Sequence, residues 1–247
     1  MILTIVFVLL LIAPLMPALV PTGGTRLPAT PFYVTNEAAG FRALVNTTAV
    51  AGYYCVRGFP STGWSVLLNA YLANASGITY IAQVFIVSTT PVPTLLTSVY
   101  SSNVWFPNGT LAHAGFNVPG APACGWLVIS IRSGTAYFGF SVDGTHVVWF
   151  DSYHVGDVVI IAASMRFGGP GNGAGAVVNG PFEAVLALYY WNGSSWRPIT
   201  LPNLIKPNVL EAVDHAWVSV SSECGGVVSW PKPVNWVICP GPPGFNP

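Results

Sequence analysis

From Phe32 to about Ser222 the chain alternates short apolar runs with clusters of Gly, Pro, Asn and Ser, and the runs have the length of strands. Ser65–Leu72, Ile78–Val87, Trp126–Ile131, Ala136–Val142, His146–His154, Val158–Phe167 and Ala184–Trp191 each read as a strand. Many carry apolar side chains on both faces, as expected where two large sheets stack. The Asp143-Gly144 pair signals a two-residue hairpin turn. Only Val209 to Trp217 reads as helical. The pattern predicts an all-β fold, an antiparallel β-sandwich of jelly-roll or lectin-like type with at most one short helix near the C-terminus.

The ends differ from this body. Residues 1–20 are almost wholly apolar, long enough for the core of an export signal and close to the roughly 20 residues that span a bilayer. Pro14 and Pro17 break the run near its end, as in a cleaved signal. The absence of Lys or Arg before Arg26 and the bulky Pro17-Ala-Leu-Val20 stretch favour a retained anchor instead. The chain divides into a signal peptide or N-terminal anchor (1–20), a Pro/Gly/Thr linker (21–31), the sandwich (32–222) and a Cys/Pro/Gly-rich tail (223–247) that wraps the surface. A secreted or extracellular cell-surface location follows, with membrane contact only through the N-terminal segment if it stays uncleaved.

An exported chain gives meaning to two residue sets. Asn46, Asn74, Asn108 and Asn192 each begin an Asn-x-Ser/Thr glycosylation acceptor. Cys55, Cys124, Cys224 and Cys239 form an even set that allows three pairings in an oxidising compartment. Cys224–Cys239 closes a short Gly- and Pro-containing loop and is the favoured bond, leaving Cys55–Cys124.

Charge narrows the setting further. Only 6% of the 247 residues are charged and 52% are hydrophobic, against a usual charged share of about 25%. Eight acids balance eight bases, so no basic surface exists for nucleic acid. With every carboxylate protonated, positive charge is limited to eight Lys and Arg and four His, where an average domain of this length carries roughly 30 basic groups. Such a chain suffers little self-repulsion in acid and has few carboxylates whose protonation could unfold it.

The chemistry-bearing residues are few. There is no Gly-x-Ser-x-Gly elbow, and the Gly168–Gly173 loop lacks the Lys-Ser/Thr of a phosphate loop. The four histidines, His113, His146, His154 and His215, are scattered and no cysteine spacing resembles a zinc site, so no metal or cofactor is expected. Carboxylates and amides remain. With a two-residue turn at Asp143-Gly144, Ala136 faces Asp151 and Phe138 faces Trp149, which puts Asp151 on one face with Phe138, Phe140 and Trp149. It is then a desolvated carboxyl, or else a wet strand end that receives a hydrogen bond. Gln83 falls on the run Ile81, Gln83, Phe85, Val87, where an amide needs partners, as a structural bridge or as a catalyst. Glu211 follows Asn208 by three residues, in the manner of a capping box, and is equally a candidate acid. Glu183 is a fourth candidate.

Several short motifs recur in a familiar order. Val34-Thr-Asn-Glu-Ala-Ala-Gly40 with Val45-Asn-Thr-Thr48, Leu67-Leu-Asn69, Thr79-Tyr-Ile-Ala-Gln-Val84, Asn103-Val-Trp105 with Asn108-Gly109, the Gly168–Gly173 loop, Leu186–Gly193 and Leu210-Glu-Ala-Val213 together resemble the thermopsins, secreted archaeal acid proteases. The chain departs from that pattern at Leu67, Ile81 and Val84, in its four cysteines and in its Pro-rich tail. The resemblance implies an acid endopeptidase acting on polypeptides. In it Gln83 and Glu211 form an amide–carboxyl pair, or Asp151 and Glu211 share a proton as a carboxyl dyad. The residues themselves also leave open a non-catalytic sandwich, as an envelope or filament subunit that self-associates or as a carbohydrate-binding module.

Overall fold

The structure, a computed structural model, describes residues 32–35, 39–58, 63–169, 176–179, 181–199, 217–220, 225–234 and 239–247. In chain order the strands are β1 (Phe32–Thr35), β2 (Ala39–Thr47), β3 (Ala49–Arg57), β4 (Trp64–Asn74), β5 (Gly77–Ser88), β6 (Ser98–Trp105), β7 (Leu111–Ala114) and β8 (Val118–Pro119). There follow β9 (Cys124–Arg132), β10 (Thr135–Ser141), β11 (Val148–His154), β12 (Val159–Gly168) and β13 (Ala176–Asn179). The last are β14 (Phe182–Trp191), β15 (Trp196–Pro198), β16 (Trp217–Val220) and β17 (Gly225–Trp230). Among the described residues every element is a strand and every pairing antiparallel.

Two sheets stack. A seven-stranded sheet runs β2-β12-β4-β5-β6-β7, with β8 beside β6; an eight-stranded sheet runs β11-β10-β9-β3-β14-β17-β16, with β15 beside β14. A pair, β1-β13, stands apart from both. The two-residue period of each strand fills the space between the sheets: Phe41, Val66, Leu68, Val84 and Ile86 meet Val50, Tyr54, Leu127, Ile129, Phe138 and Leu186, all buried. Tyr54 and Tyr100 cross that core from opposite sheets, their hydroxyl oxygens 3.0 Å apart. The expected sandwich is therefore present.

The eight-stranded sheet is covered on its outer face too. Trp126, Tyr189 and Trp196 bury Phe245 of the C-terminal tail. Trp196 Nε1 donates to the Phe245 carbonyl (2.7 Å), Gly244 N to the Gly144 carbonyl (2.7 Å), and the Tyr189 hydroxyl to that of Pro240. β3 was not among the expected strands; with both faces covered, Ala49-Val-Ala-Gly-Tyr-Tyr-Cys-Val-Arg57 shows no alternation.

Some expectations need correction. Trp217 begins a strand, not the end of a helix, and Val209 to Ala216, with Glu211, lie outside the described residues. The β10–β11 connection is longer than two residues, because Asp143 builds a wider loop. Its Oδ1 accepts from the Thr145 and His146 amides (2.7 and 3.0 Å), and Gly144 takes a φ of 74°. A bulge between Phe138 and Gly139 then pairs Phe138 with Asp151 and Gly139 with Trp149. Trp149 therefore lies on the outer face over Gly139, where a Cβ would come within 2.8 Å of its ring. Asp151 shares a face with Phe138 and Phe140 only.

Cys55 and Cys124 are bonded across β3 and β9, at a directly paired position, over a separation of 69 residues. Cys239 is also disulfide-bonded, and its expected partner Cys224 lies outside the described residues. Replacing Cys55 and Cys124 together by Ala is expected to lower the unfolding free energy by about 2–4 kcal/mol, read from denaturant midpoints of the oxidised proteins. An unchanged midpoint would mean that the sandwich does not depend on this cross-link.

Candidate functional site

The outward side chains of the seven-stranded sheet are set by the same alternation that buries the inward ones. Adjacent strands pair Arg42 with Ser164, Ser164 with Asn69, Asn69 with Gln83, and Gln83 with Asn103. Five polar residues from five strands thus form one row straight across the outer face.

Three amides in this row are joined head to tail. Asn103 Nδ2 donates to Gln83 Oε1 (3.4 Å), Gln83 Nε2 to Asn69 Oδ1 (2.8 Å), and Asn69 Nδ2 to Ser164 Oγ (3.1 Å). Asn69, Asn103 and Ser164 are buried and Gln83 half-buried. Each carboxamide has two N–H donors, so this chain of bonds fixes the plane of the Gln83 amide while using only one of them. One Gln83 N–H therefore has no partner among the described residues. Beside the row, the Arg42 guanidinium lies 4.9 Å over the Tyr71 ring and Arg166 Nη2 donates to the Tyr71 hydroxyl at 3.1 Å. Leu67, Phe85 and Val87 form an apolar strip on the same face.

Asp151 is elsewhere. It projects from β11 into the edge of the sandwich, where Ser102 Oγ donates to its Oδ2 and His113 Nε2 lies 2.9 Å from that oxygen. Its side chain is only 6% exposed, so it is no wet strand end, though it is hydrogen-bonded. The His113 ring stacks on Tyr153. Gly115 is required beside this cluster, since a Cβ there would lie 2.0 Å from Ser102 Oγ and 2.2 Å from Asp151 Oδ2. Ser102 points inward and its neighbour Asn103 outward, so Asp151 and Gln83 lie on opposite faces of the seven-stranded sheet.

Of the four candidates, Gln83 thus joins a polar network on an open face and Asp151 a separate one between the sheets. Glu183 pairs with Arg57 and Ser229 in the other sheet, away from both, and Glu211 is outside the described residues. Sequence reasoning missed His113 and Ser102 as partners of Asp151. The available signal was Ser102 itself, a hydroxyl on the inward, apolar face of β6 between Tyr100 and Val104. Among the described residues no group of three or more His, Cys, Asp or Glu could hold a metal ion.

No protein-family model matches the chain, and no curated protein matches it; the thermopsin resemblance stands on its motifs alone. Among solved structures the chain is similar to scytalido-glutamic peptidase with a transition state analog inhibitor, at 11% identity and a TM-score of 0.44 over 79% of this chain and 98% of that one. The same peptidase with a peptide-based transition state analog gives 10% identity and a TM-score of 0.41 over 78% and 98%. The CBM2 module of the evolved Dit of Lactobacillus casei BL23 phage J-1 gives 13% and 0.36 over 64% and 86%. Similarity at this level identifies no functional side chain.

Proposed function

We propose that the chain is an exported, thermopsin-like endopeptidase that hydrolyses polypeptides in acid, with Gln83 and Glu211 as its amide–carboxyl pair. The observation that carries this reading is the amide row. Asn69, Gln83 and Asn103 come from three separate thermopsin-like motifs, and they meet side by side on one face. The row holds the Gln83 carboxamide still, with one N–H left to donate. Preorganised donors are what stabilise an oxyanion without reorganisation during the reaction.

In this mechanism the Glu211 carboxylate takes a proton from water as its oxygen attacks the scissile carbonyl carbon. The carbonyl oxygen becomes an oxyanion and accepts the spare Gln83 N–H. Collapse breaks the C–N bond, and the proton held by Glu211 passes to the leaving amine. Asp151, hydrogen-bonded to Ser102 and His113 on the far side of the sheet from Gln83, takes no part in the amide row.

The test is cleavage of a denatured protein substrate by the matured protein at about pH 2–4, the range in which carboxyl pairs share protons. New peptide termini released at a rate well above buffer support the reading. Inactivity across that range overturns it in favour of a non-catalytic sandwich, in which the amide row is a structural ladder.

A further inference from the structure

The two ends of the sandwich differ in chemistry. Following the antiparallel pairings, the C-terminal ends of β2, β4, β6 and β14 all lie at one pole, and Thr47 Oγ1 donates to the Trp191 carbonyl there at 2.6 Å. That pole carries Asn46, Asn74, Asn108 and Asn192, all exposed. Three of them spend Oδ1, and not Nδ2, on the backbone: it accepts from the amides of Ser76 (2.8 Å), Thr110 (3.0 Å) and Ser194 (3.0 Å). The nitrogen that a glycan would use stays out of these bonds.

The opposite pole carries the β5–β6 connection. Thr90, Thr94, Thr97 and Ser98 hydrogen-bond among themselves and to its backbone, and Trp64 Nε1 ties down the Pro91 carbonyl at 3.1 Å. This tied loop drives its apolar residues outward. Leu96 is 93% exposed, Leu95 67% and Val92 58%. From Gly58 to Ile131 the sequence has no Lys, Arg, Asp or Glu, so neither the tip nor the strands supporting it carry a charge. Among the described residues, Arg57, Asp143, Glu183 and Lys232 at this pole belong to the rim of the other sheet, and Arg166 lies two residues before the end of β12. The N-terminal end of β2 also lies at this pole.

We propose that this pole is a lipid-facing surface, with Leu95 and Leu96 inserting into an uncharged bilayer interface while the four acceptor asparagines point into solvent. Leu95 and Leu96 are largely exposed, so acyl chains can close around them. Burial of the tip desolvates no charged group, since Gly58 to Ile131 carries none. Among the described residues no helix is long and apolar enough to cross a membrane.

The test uses the full chain with an environment-sensitive fluorophore on Leu96→Cys, and on Ser194→Cys at the other pole. Phosphatidylcholine vesicles are expected to shift the emission of the first to the blue and leave the second unchanged. Leu95→Ser with Leu96→Ser is expected to weaken partitioning about tenfold or more, and added salt is expected to change little, since no charge attraction is involved. A probe at 96 that stays water-like in the presence of vesicles overturns the proposal, even if the chain sediments with them through residues 1–20. A blue shift without vesicles that grows with protein concentration also overturns it, and assigns the tip to a second copy of the chain.

Discussion

Gln83→Leu is expected to lower acid proteolysis about 10²–10³-fold, the loss typical of deleting one oxyanion donor, and Glu211→Gln to abolish it. The substitutions separate catalysis from folding in different ways. Glu211→Gln keeps the side chain's size and suits a capping position as well as Glu does, so a merely structural Glu211 would leave activity intact. Gln83→Leu strands the Asn69 carbonyl oxygen and the Asn103 amide, which costs about 1–3 kcal/mol of stability. Melting measured on the same preparations shows whether folded protein remains. If the two groups act as a unit, the double variant loses no more activity than Glu211→Gln alone. Folded Gln83→Leu protein with near-native kcat/KM would reduce the row to a structural ladder.

How the site was legible follows from which distances the sequence encodes. Alternation on β5 placed Gln83 with Phe85 and Val87, and that grouping is observed. Its hydrogen-bond partners depend on register, which the lengths of connections determine. Asn69 is brought opposite through the short Asn74–Gly77 turn, but Asn103 only across the long β5–β6 loop. Asp151 shows the limit more sharply. Its face was readable, but Trp149 crossed to the other side at the Gly139 bulge, and its partners Ser102 and His113 come from the other sheet. No periodicity within one strand reports on a facing layer. The sandwich itself was readable because most strands are apolar runs bounded by turn residues, β4, β9 and β14 being buried along both faces.

Alkali, rather than acid, is expected to unfold this protein. Burial pushes Tyr100 up to about 12, with its hydrogen bond to Tyr54 a smaller opposing effect. Burial, then the proximity of Tyr100, raises Tyr54 well above the ordinary phenol value. Burial also pushes up Tyr189, which anchors the C-terminal tail, to about 12. Unfolded tyrosines titrate near 10, so the folded state holds these protons more tightly. Their contribution is fully present below about pH 10 and is lost as pH rises through about 12. For Tyr100 alone that amounts to about 3 kcal/mol. On the acid limb, among the described residues, Asp143 is held low by His146 and by the Thr145 and His146 amides; its contribution is present above the ordinary carboxyl range and is lost as pH falls from there through the lowered value, and it is small because Asp143 sits in an exposed loop. Denaturant midpoints followed from pH 2 to 12 should therefore be nearly flat in acid and fall steeply above about 10. Tyr100→Phe should make the alkaline limb shallower at a neutral-pH cost of about 1 kcal/mol, since the Tyr54 hydroxyl keeps the Pro122 carbonyl as an acceptor at 3.2 Å. A cooperative acid transition above about pH 3, with no alkaline loss, would show that the carboxylates and not the buried phenols govern stability.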